Sequence, residues 1–193
     1  MYGADFHSAI AHEEEPQAQR LAQYIATHLK PVRFIDFGCS TGLYVKAMKD
    51  WAPSCKSKGL DFSEAAIAAA VCPDIIKADL TQNLYMPYEE DTLGLCLEVL
   101  EHIDDAYWRI VLVNLLSNCH RVIFSAARPG QGGTGHINCR PKLDWIQRFH
   151  SLGWVVDMDA TAHLVGEMKK GYHMGWLTQN VMVLVPGLLG MRR

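Results

Sequence analysis

Residues 34–42 read Phe34-Ile35-Asp36-Phe37-Gly38-Cys39-Ser40-Thr41-Gly42. An apolar run ends in an acid, and two glycines then flank a tight turn ahead of a helical stretch from Leu43 to Asp50. Glycine lets the backbone turn sharply and lets a ligand lie against the main chain. Ligands of open α/β sheets bind at the carboxyl ends of the strands, where this turn falls. The stretch therefore predicts a strand, a ligand-binding turn and a helix.

Strands and helices are predicted to alternate along the rest of the chain. Acids at Glu13 to Glu15, followed by Pro16, predict a helix start, and leucines and isoleucines every four residues carry this helix to Lys30. Predicted strands span residues 32–37, 58–62, 75–78, 93–97, 121–126, 154–158 and 177–185, and predicted helices span residues 43–50, 63–71, 106–118, 143–152 and 162–170. Such alternation with short connections indicates one α/β domain with a mostly parallel sheet covered on both faces.

Composition narrows the class of protein. The chain has 193 residues, of which 49% are hydrophobic, and a formal net charge of -3, which makes nucleic acid an unlikely partner. Six cysteines contain no C-x-x-C pair, so zinc-ribbon and thioredoxin-type sites are not expected. We find no secretory signal and no apolar run near the ~20 residues of a membrane span. These features predict a cytoplasmic protein without membrane contact, and they leave the oligomeric state open.

Two phosphate-binding motifs fail against the sequence. The dinucleotide fingerprint G-x-G-x-x-G, begun at Gly38, requires glycine where the chain has Ser40 and Leu43. A Walker A loop resembles the spacing of Gly130 and Gly135, but His136 stands where that motif needs lysine. The glycine turn must therefore serve another ligand.

Aspartates end the first three predicted strands. Asp61 closes the second strand, about 20 residues beyond the glycine turn, where a carboxylate is placed to accept both hydroxyls of a ribose. Asp79 ends the third strand, as Asp36 ends the first. Any one of them is explained by capping a turn, but three at the same sheet edge beside a glycine turn favour a nucleoside site.

With these motifs the sequence resembles the class I S-adenosylmethionine-dependent methyltransferases, from Val32 to Val185. The likeness rests on residues 36–42 and on Gly59-Leu60-Asp61-Phe62-Ser63, Ala78-Asp79-Leu80 and Leu97-Glu98-Val99-Leu100-Glu101-His102. It implies a single Rossmann-like domain with a mostly parallel seven-stranded sheet, helices on both faces and an antiparallel last strand. It also implies an N-terminal helical segment (1–30), a cofactor-binding half (31–126) and a substrate-facing half (127–193).

The resemblance also implies roles for individual residues. S-adenosylmethionine is the implied cofactor and S-adenosylhomocysteine the product. The glycine turn is expected to hold the amino-acid part of the cofactor, Asp61 the ribose and Asp79 the adenine amino group, with Phe62 and Leu80 walling the base. The implied cofactor-binding set is Asp36, Gly38, Cys39, Ser40, Gly42, Asp61, Phe62, Asp79, Leu80 and Glu98. Ser40 replaces the family's middle glycine, and Leu93-Gly94 replaces an acid often found at the start of the fourth strand.

The segment after the fourth strand is expected to face the transferred methyl group. If it forms a helical turn, Glu98, Glu101 and His102 share one face. Such a set suits a divalent ion, with His136 as fourth ligand, and the similar small-RNA 3′-terminal and ubiquinone-pathway O-methyltransferases are metal-dependent. Many relatives without metal carry the same residues, and acids suit a helix start by themselves. A metal is therefore possible but not favoured.

A glycine-rich loop over residues 129–135 leaves the fifth strand at the same edge and is expected to act as a lid. We predict His136 as general base, assisted by Glu98 and His102 as catalytic residues, with Asn138 as a hydrogen-bonding partner of the acceptor. A surface histidine on a loop is the plain alternative. Tyr85, Tyr88 and Trp108 could wall an acceptor pocket, although such aromatic side chains more often pack a hydrophobic core.

The sequence thus predicts a methyltransferase acting on a small-molecule or glycan hydroxyl. Two alternatives stay open. One is a metal-assisted O-methyltransferase acting on an RNA 3′ end or a phenolic substrate. The other is a non-catalytic S-adenosylmethionine-binding protein.

Overall fold

The architecture is described from a computed structural model, which covers residues 4–86, 91–170 and 175–187. Its strands are β1 (Arg33–Phe37), β2 (Lys56–Asp61), β3 (Ile75–Lys77), β4 (Thr92–Leu97), β5 (Arg121–Ser125), β6 (Trp154–Val156) and β7 (Met182–Pro186). Its helices are α1 (Ala4–Tyr24), α2 (Leu43–Trp51), α3 (Glu64–Ala68), α4 (Trp108–Ser117), α5 (Lys142–Ser151), α6 (Met158–Lys169) and α7 (Gly175–Asn180). A π-helical turn spans Ile25–Leu29, and 3₁₀ turns span Leu100–His102 and Asp105–Tyr107.

The seven strands form one sheet in the order β3-β2-β1-β4-β5-β7-β6. All neighbouring pairs from β3 to β5 are parallel, whereas β7 runs antiparallel to both β5 and β6. This confirms the expected Rossmann-like sheet with an antiparallel last strand. The chain crosses over between β1 and β4, and such a switch point opens a crevice at the carboxyl ends of the strands.

Alternating strand residues feed two hydrophobic cores. Phe34 on β1 packs into a core shared with α1, α2, α6 and α7. Its neighbour Ile35 packs into a core shared with α4 and α5 on the opposite face. Because successive side chains of a strand point to opposite faces, the central strands β1, β4 and β5 are buried on both sides. Helices therefore cover both faces, as predicted.

The N-terminal helix begins earlier than the sequence suggested. Pro16 was expected in the first turn, but α1 starts at Ala4 and contains Pro16 in its interior. Proline removes one helical hydrogen bond, and alanines at positions 4, 9 and 11 favour helix on the upstream side. The predicted helix start at Pro16 was wrong because the residues before Pro16 are also helical.

The segment at residues 177–185 was predicted as one strand and is instead a helix followed by a strand. Leu177 lies in α7, and its carbonyl oxygen accepts a hydrogen bond from the backbone N–H of Val181 at 2.8 Å. Strand β7 begins only at Met182. Short apolar runs do not distinguish a strand from a buried helix, which explains the error. Among the described residues, no helix is both long and apolar enough to cross a bilayer.

Candidate active site

A cavity of about 870 Å³ opens at the carboxyl ends of β1, β2 and β4. Its volume is near the upper end of the ~300–1,000 Å³ usual for small-molecule sites. Six acids line it, and none of its described lining residues is lysine or arginine. These acids are Glu14, Asp36, Asp61, Asp79, Glu98 and Asp104. The cavity is therefore suited to a cation and unsuited to a phosphate-rich ligand.

The glycine turn forms the floor of this cavity. Gly38 has φ +78°, and a Cβ there would lie 2.5 Å from Cγ2 of Val99, so no other residue fits. Asp36, Gly38, Cys39 and Ser40 all line the cavity, as the resemblance implied for the cofactor's amino-acid end. Gly42 is not among the lining residues. A Cβ there would meet the side chain of Ile75 at 2.7 Å, so this glycine serves helix packing.

Asp61 fastens the glycine turn from the next strand. Its Oδ2 accepts the backbone N–H of Ser40 at 2.7 Å, and its Oδ1 accepts the backbone N–H of Ser63 at 2.8 Å. Ser40 adopts a left-handed conformation with φ +49°, so the serine takes a shape that usually favours glycine. Each carboxylate oxygen has a second lone pair, so Asp61 can still accept hydrogen bonds from hydroxyl groups of a ligand in the cavity.

The predicted base-binding residues line one end of the cavity. Asp79 uses Oδ1 to accept both the backbone N–H of Thr81 at 2.9 Å and its hydroxyl at 2.6 Å. Leu80 is buried, whereas the ring of Phe62 is 65% exposed although it borders the cavity. An apolar wall beside an exposed aromatic ring is an arrangement on which a planar base can stack.

Glu98 follows β4 in a strained backbone conformation. Its φ of +53° is unusual for a residue with a Cβ, and such strain often marks functional sites. Oε2 accepts a hydrogen bond from Nε2 of Gln131 at 2.6 Å. Oε1 is buried, and no N–H or hydroxyl group of the described residues donates to it. The Glu98 side chain is hydrogen-bonded to the carboxyl group of Glu101, so Glu98 accepts from that group when Glu101 carries a proton.

Glu98, Glu101 and His102 were predicted to share one face of a helical turn, and they do not. Glu98 precedes the 3₁₀ turn, and its positive φ turns it away from helical spacing. The groups that meet are instead Glu101, His102 and His136, whose ligand atoms all lie within 4.8 Å of one another. The loop after β5 thus supplies His136, the expected fourth ligand, whereas Glu98 is not part of the cluster.

Glu101 is fully buried beneath this cluster. Its Oε1 accepts the backbone N–H of Ala127 at 3.1 Å, and no N–H or hydroxyl group of the described residues donates to Oε2. The side chain is also hydrogen-bonded to Glu98. Burial, and then the charge of Glu98, raise the pKa of Glu101 to about 8. The carboxyl group is therefore largely protonated at neutral pH unless a cation or a donor reaches it.

His102 and His136 stand edge to face on the cavity wall, with ring centroids 5.0 Å apart. Nδ1 of His102 lies 3.2 Å from the carbonyl oxygen of Gly135, and because a carbonyl only accepts, Nδ1 carries the proton. Burial lowers the pKa of His102, which keeps the ring neutral near pH 7. A Cβ on Gly133 would lie 2.2 Å from Nε2 of His136, so a larger residue there would have to displace this ring.

Asn138 was predicted to bind the acceptor, and the structure contradicts this. Its side chain is buried, is not among the cavity-lining residues, and donates to the carbonyl oxygens of Leu100 at 3.3 Å and Ile103 at 3.2 Å. Its Oδ1 accepts from Nε of Arg140 at 2.8 Å. Asn138 therefore joins the loop to the turn after β4 and positions His136 and His102 from behind.

The predicted aromatic walls lie elsewhere. Tyr85 is fully exposed and borders a different groove, Tyr88 is outside the described residues, and Trp108 packs under the guanidinium of Arg148 at 4.7 Å. Tyr44 and Tyr107 line the cavity instead. Tyr44 is the second residue of α2, and its position in the first turn after a glycine loop was a sequence signal for a ligand-facing side chain.

Sequence reasoning also missed Glu14, which reaches the cavity from α1. The cavity therefore draws on all three predicted segments: Glu14 from residues 1–30, the glycine turn from residues 31–126, and residues 131–136 from the remainder. No motif signals such a residue, because its place depends on how α1 packs against α2.

Comparison with known proteins agrees with this geometry. Residues 35–125 match the family model of a methyltransferase domain. No curated protein is significantly similar to the sequence. Magnesium protoporphyrin IX methyltransferase from Synechocystis PCC 6803, with bound S-adenosylhomocysteine, has a TM-score of 0.62 and 15% identity over 97% of this chain and 89% of that chain.

Two further solved structures are similar to the chain. The plantazolicin methyltransferase BpumL, in complex with a triazolic desmethylPZN analogue and S-adenosylhomocysteine, has a TM-score of 0.65 and 13% identity over 94% of this chain and 90% of that chain. The sugar N-methyltransferase KedS8 from Streptoalloteichus sp ATCC 53650 has a TM-score of 0.61 and 12% identity over 90% of this chain and 87% of that chain. At this identity the likeness establishes the fold and not the acceptor.

Proposed function

We propose that the chain is a class I S-adenosylmethionine-dependent methyltransferase that methylates a hydroxyl group of a small molecule or glycan; residues 35–125 match the model of a methyltransferase domain. S-adenosylmethionine is the cofactor and S-adenosylhomocysteine the product. The observation that carries the proposal is the histidine pair, His102 and His136, on the wall of a cavity that no described lysine or arginine lines.

The proposed reaction is an in-line displacement at the methyl carbon. The acceptor oxygen attacks the carbon, the carbon–sulfur bond breaks, and its electron pair stays on sulfur. The hydroxyl proton passes to a ring nitrogen of His136. Positioning of the two reactants can contribute ~7–11 kcal/mol of barrier lowering, and a general base about 10²–10⁴-fold in rate. Glu98 and His102 support this step by shaping the site around the acceptor.

The order of the strands supports a cavity with the cofactor at one end and the acceptor at the other. Asp79 and Asp61 follow β3 and β2, whereas Glu98 and His102 follow β4 and His136 follows β5. A cofactor lying across β3, β2 and β1 therefore directs its reacting end toward the histidines. Among the described residues, neither a lysine nor an arginine lines the cavity, which makes a nucleic acid a poor acceptor because phosphates need cations.

The test uses methyl-labelled S-adenosylmethionine with separate pools of small metabolites, glycans and RNA. We expect label to enter the small-molecule or glycan pool. His136→Ala should lower this turnover at least 100-fold and leave cofactor binding within two-fold of wild type. His150→Ala is the matched control, because His150 is exposed on α5 and absent from the cavity lining. Unchanged turnover in His136→Ala would refute the proposed base.

A metal-assisted mechanism is the second candidate, favoured by the cluster of Glu101, His102 and His136. Oε2 of Glu101, to which no N–H or hydroxyl group of the described residues donates, fits a cation, and two imidazoles with one carboxylate suit Zn²⁺, Mn²⁺ or Fe²⁺. These residues would hold the ion, which would polarise the acceptor oxygen. If a chelator abolishes the activity and one of these ions restores it, His136 acts as a metal ligand and not as the general base. Cofactor binding without label transfer to any pool would favour the non-catalytic alternative.

A further inference from the structure

Glu14 reaches the cavity from outside the domain that matches known methyltransferases. It lies on α1, which packs along α2 through Glu15 and Lys46 at 3.4 Å and through Gln17 and the hydroxyl of Tyr44 at 3.5 Å. These contacts hold the helix so that Glu14 borders the cavity beside the glycine turn. The carboxylate is only partly exposed and forms no hydrogen bond or ion pair with any described residue.

Two other carboxylates at this end are also incompletely paired. Asp36 is 3% exposed, and its Oδ2 has no partner among the described residues. Glu98 has no cationic partner among them, because it is hydrogen-bonded only to the amide of Gln131 and the carboxyl group of Glu101. We call Glu14, Asp36 and Glu98 the acidic trio. Burial raises the pKa of Glu14, with smaller contributions from the charges of Glu13 and then Glu98. Burial also raises the pKa of Asp36, with smaller contributions from the charges of Asp61 and then Glu14.

An acidic trio of this kind needs a positive charge. Buried carboxylates are unfavourable unless they are paired, and no described lysine or arginine lines the cavity to pair with them. The cofactor supplies such a charge. S-adenosylmethionine carries an α-ammonium and a sulfonium, whereas S-adenosylhomocysteine has lost the sulfonium with its methyl group. Transfer of the methyl group therefore removes one positive charge from beside the trio.

We propose that Glu14, acting with Asp36 and Glu98, recognises the positive charge of the bound cofactor and makes the site select S-adenosylmethionine over S-adenosylhomocysteine. This inference rests on the cofactor and not on the proposed acceptor or base. It gives the N-terminal helix a role in the reaction cycle: the substrate cofactor is attracted by three carboxylates, and the product is released because that attraction falls when the sulfonium becomes a neutral thioether.

The test is calorimetric titration of the protein with both ligands and with sinefungin, a cationic analogue that has an amine-bearing carbon in place of the methylated sulfur. Glu14→Gln keeps the side-chain shape and removes the charge. We expect it to weaken S-adenosylmethionine and sinefungin about ten-fold and S-adenosylhomocysteine less than three-fold. Glu13→Gln is the matched control, because Glu13 is an exposed neighbouring acid that does not line the cavity, and it should change each affinity less than two-fold.

Two results would overturn the inference. Unchanged selectivity in Glu14→Gln would show that its charge is not sensed, and equal weakening of all three ligands would assign Glu14 a merely structural role in holding α1. Wild-type protein that binds none of the ligands would overturn the cofactor assignment itself, which separates that failure from a failure of Glu14. Loss of label transfer in His136→Ala with normal selectivity would leave this inference standing.

Discussion

Gln131 joins the glycine-rich loop to the carboxylate at the end of β4: its Nε2 lies 2.6 Å from Oε2 of Glu98. Its Oε1 accepts a hydrogen bond from Nδ2 of the buried Asn180 at 2.7 Å. One side chain thus links the loop after β5, the cofactor-facing acid and α7. This link explains how a loop with glycines at 130, 132, 133 and 135 can hold a defined position over the cavity.

Removal of this link should loosen the loop. We expect Gln131→Ala to raise the KM for the cofactor about two- to ten-fold, because a side-chain hydrogen bond contributes ~0.5–1.5 kcal/mol. Hydrogen exchange of residues 130–135 should speed up in the same variant. Gln82→Ala, at an exposed glutamine that does not line the cavity, is the control. Exchange as slow as in wild type would show that Gln131 does not hold the loop.

Neighbouring glycines offer a test of how closely the loop packs on His136. A Cβ on Gly133 would meet the His136 ring at 2.2 Å, whereas a Cβ on Gly132 meets nothing within 4 Å. We expect Gly133→Ala to displace the imidazole and lower kcat at least ten-fold, with Gly132→Ala within two-fold of wild type. Turnover measured at saturating cofactor separates the two. Equal effects of the two substitutions would contradict the placement of the ring.

Stability should depend on pH through Glu14. Burial, followed by the charges of Glu13 and Glu98, raises its pKa from 4.5 to about 7, so the folded state holds this proton more tightly than the unfolded chain. The free energy of unfolding therefore falls as pH rises from about 4.5 to about 7, by at most about 3 kcal/mol from this group. Asp36 faces the same space, and because burial raises its pKa as well, it adds to the same loss of stability with rising pH.

Urea unfolding of cofactor-free protein at pH 5 and pH 8 measures this dependence. Glu14→Gln should gain stability over wild type at pH 8 and lose most of that gain at pH 5. The same gain at both pH values would argue against a raised pKa at Glu14.

Asn138 should matter for stability and only indirectly for catalysis. Its amide satisfies the carbonyl oxygens of Leu100 and Ile103, and its own oxygen accepts from Arg140. Loss of buried hydrogen bonds costs about 1–3 kcal/mol, so Asn138→Ala should lower the free energy of unfolding by that amount. Asn83→Ala, at an exposed position, serves as control. If Asn138 bound the acceptor instead, the variant would raise the acceptor KM without a loss of stability.

Much of the cofactor side was predictable because its signals are local. The glycine turn, Asp61 and Asp79 each follow a strand directly, so the parallel sheet brings them to one edge whatever the rest of the chain does. The same reasoning placed His136 on the cavity through the loop after β5.

The site residues that the sequence did not predict correctly depend on tertiary packing. Glu14 is one acid in a run of three, and only the packing of α1 on α2 decides which one faces the cavity. Asn138 follows His136 by two residues and looks equally available, yet it points into the turn after β4. Glu98 does not lie on the expected helical face because its φ is positive, and no residue pattern in the sequence predicts this conformation.

The central claim is that this cavity binds S-adenosylmethionine, and calorimetric titration of the wild-type protein tests it most directly. The account predicts micromolar binding that weakens at least ten-fold in Asp61→Asn, because this substitution removes the carboxylate that fastens Ser40 and faces the ribose hydroxyls. Asp74→Asn, outside the cavity lining and paired with Lys49, should bind as wild type does. Absence of binding by well-folded wild-type protein would contradict the account.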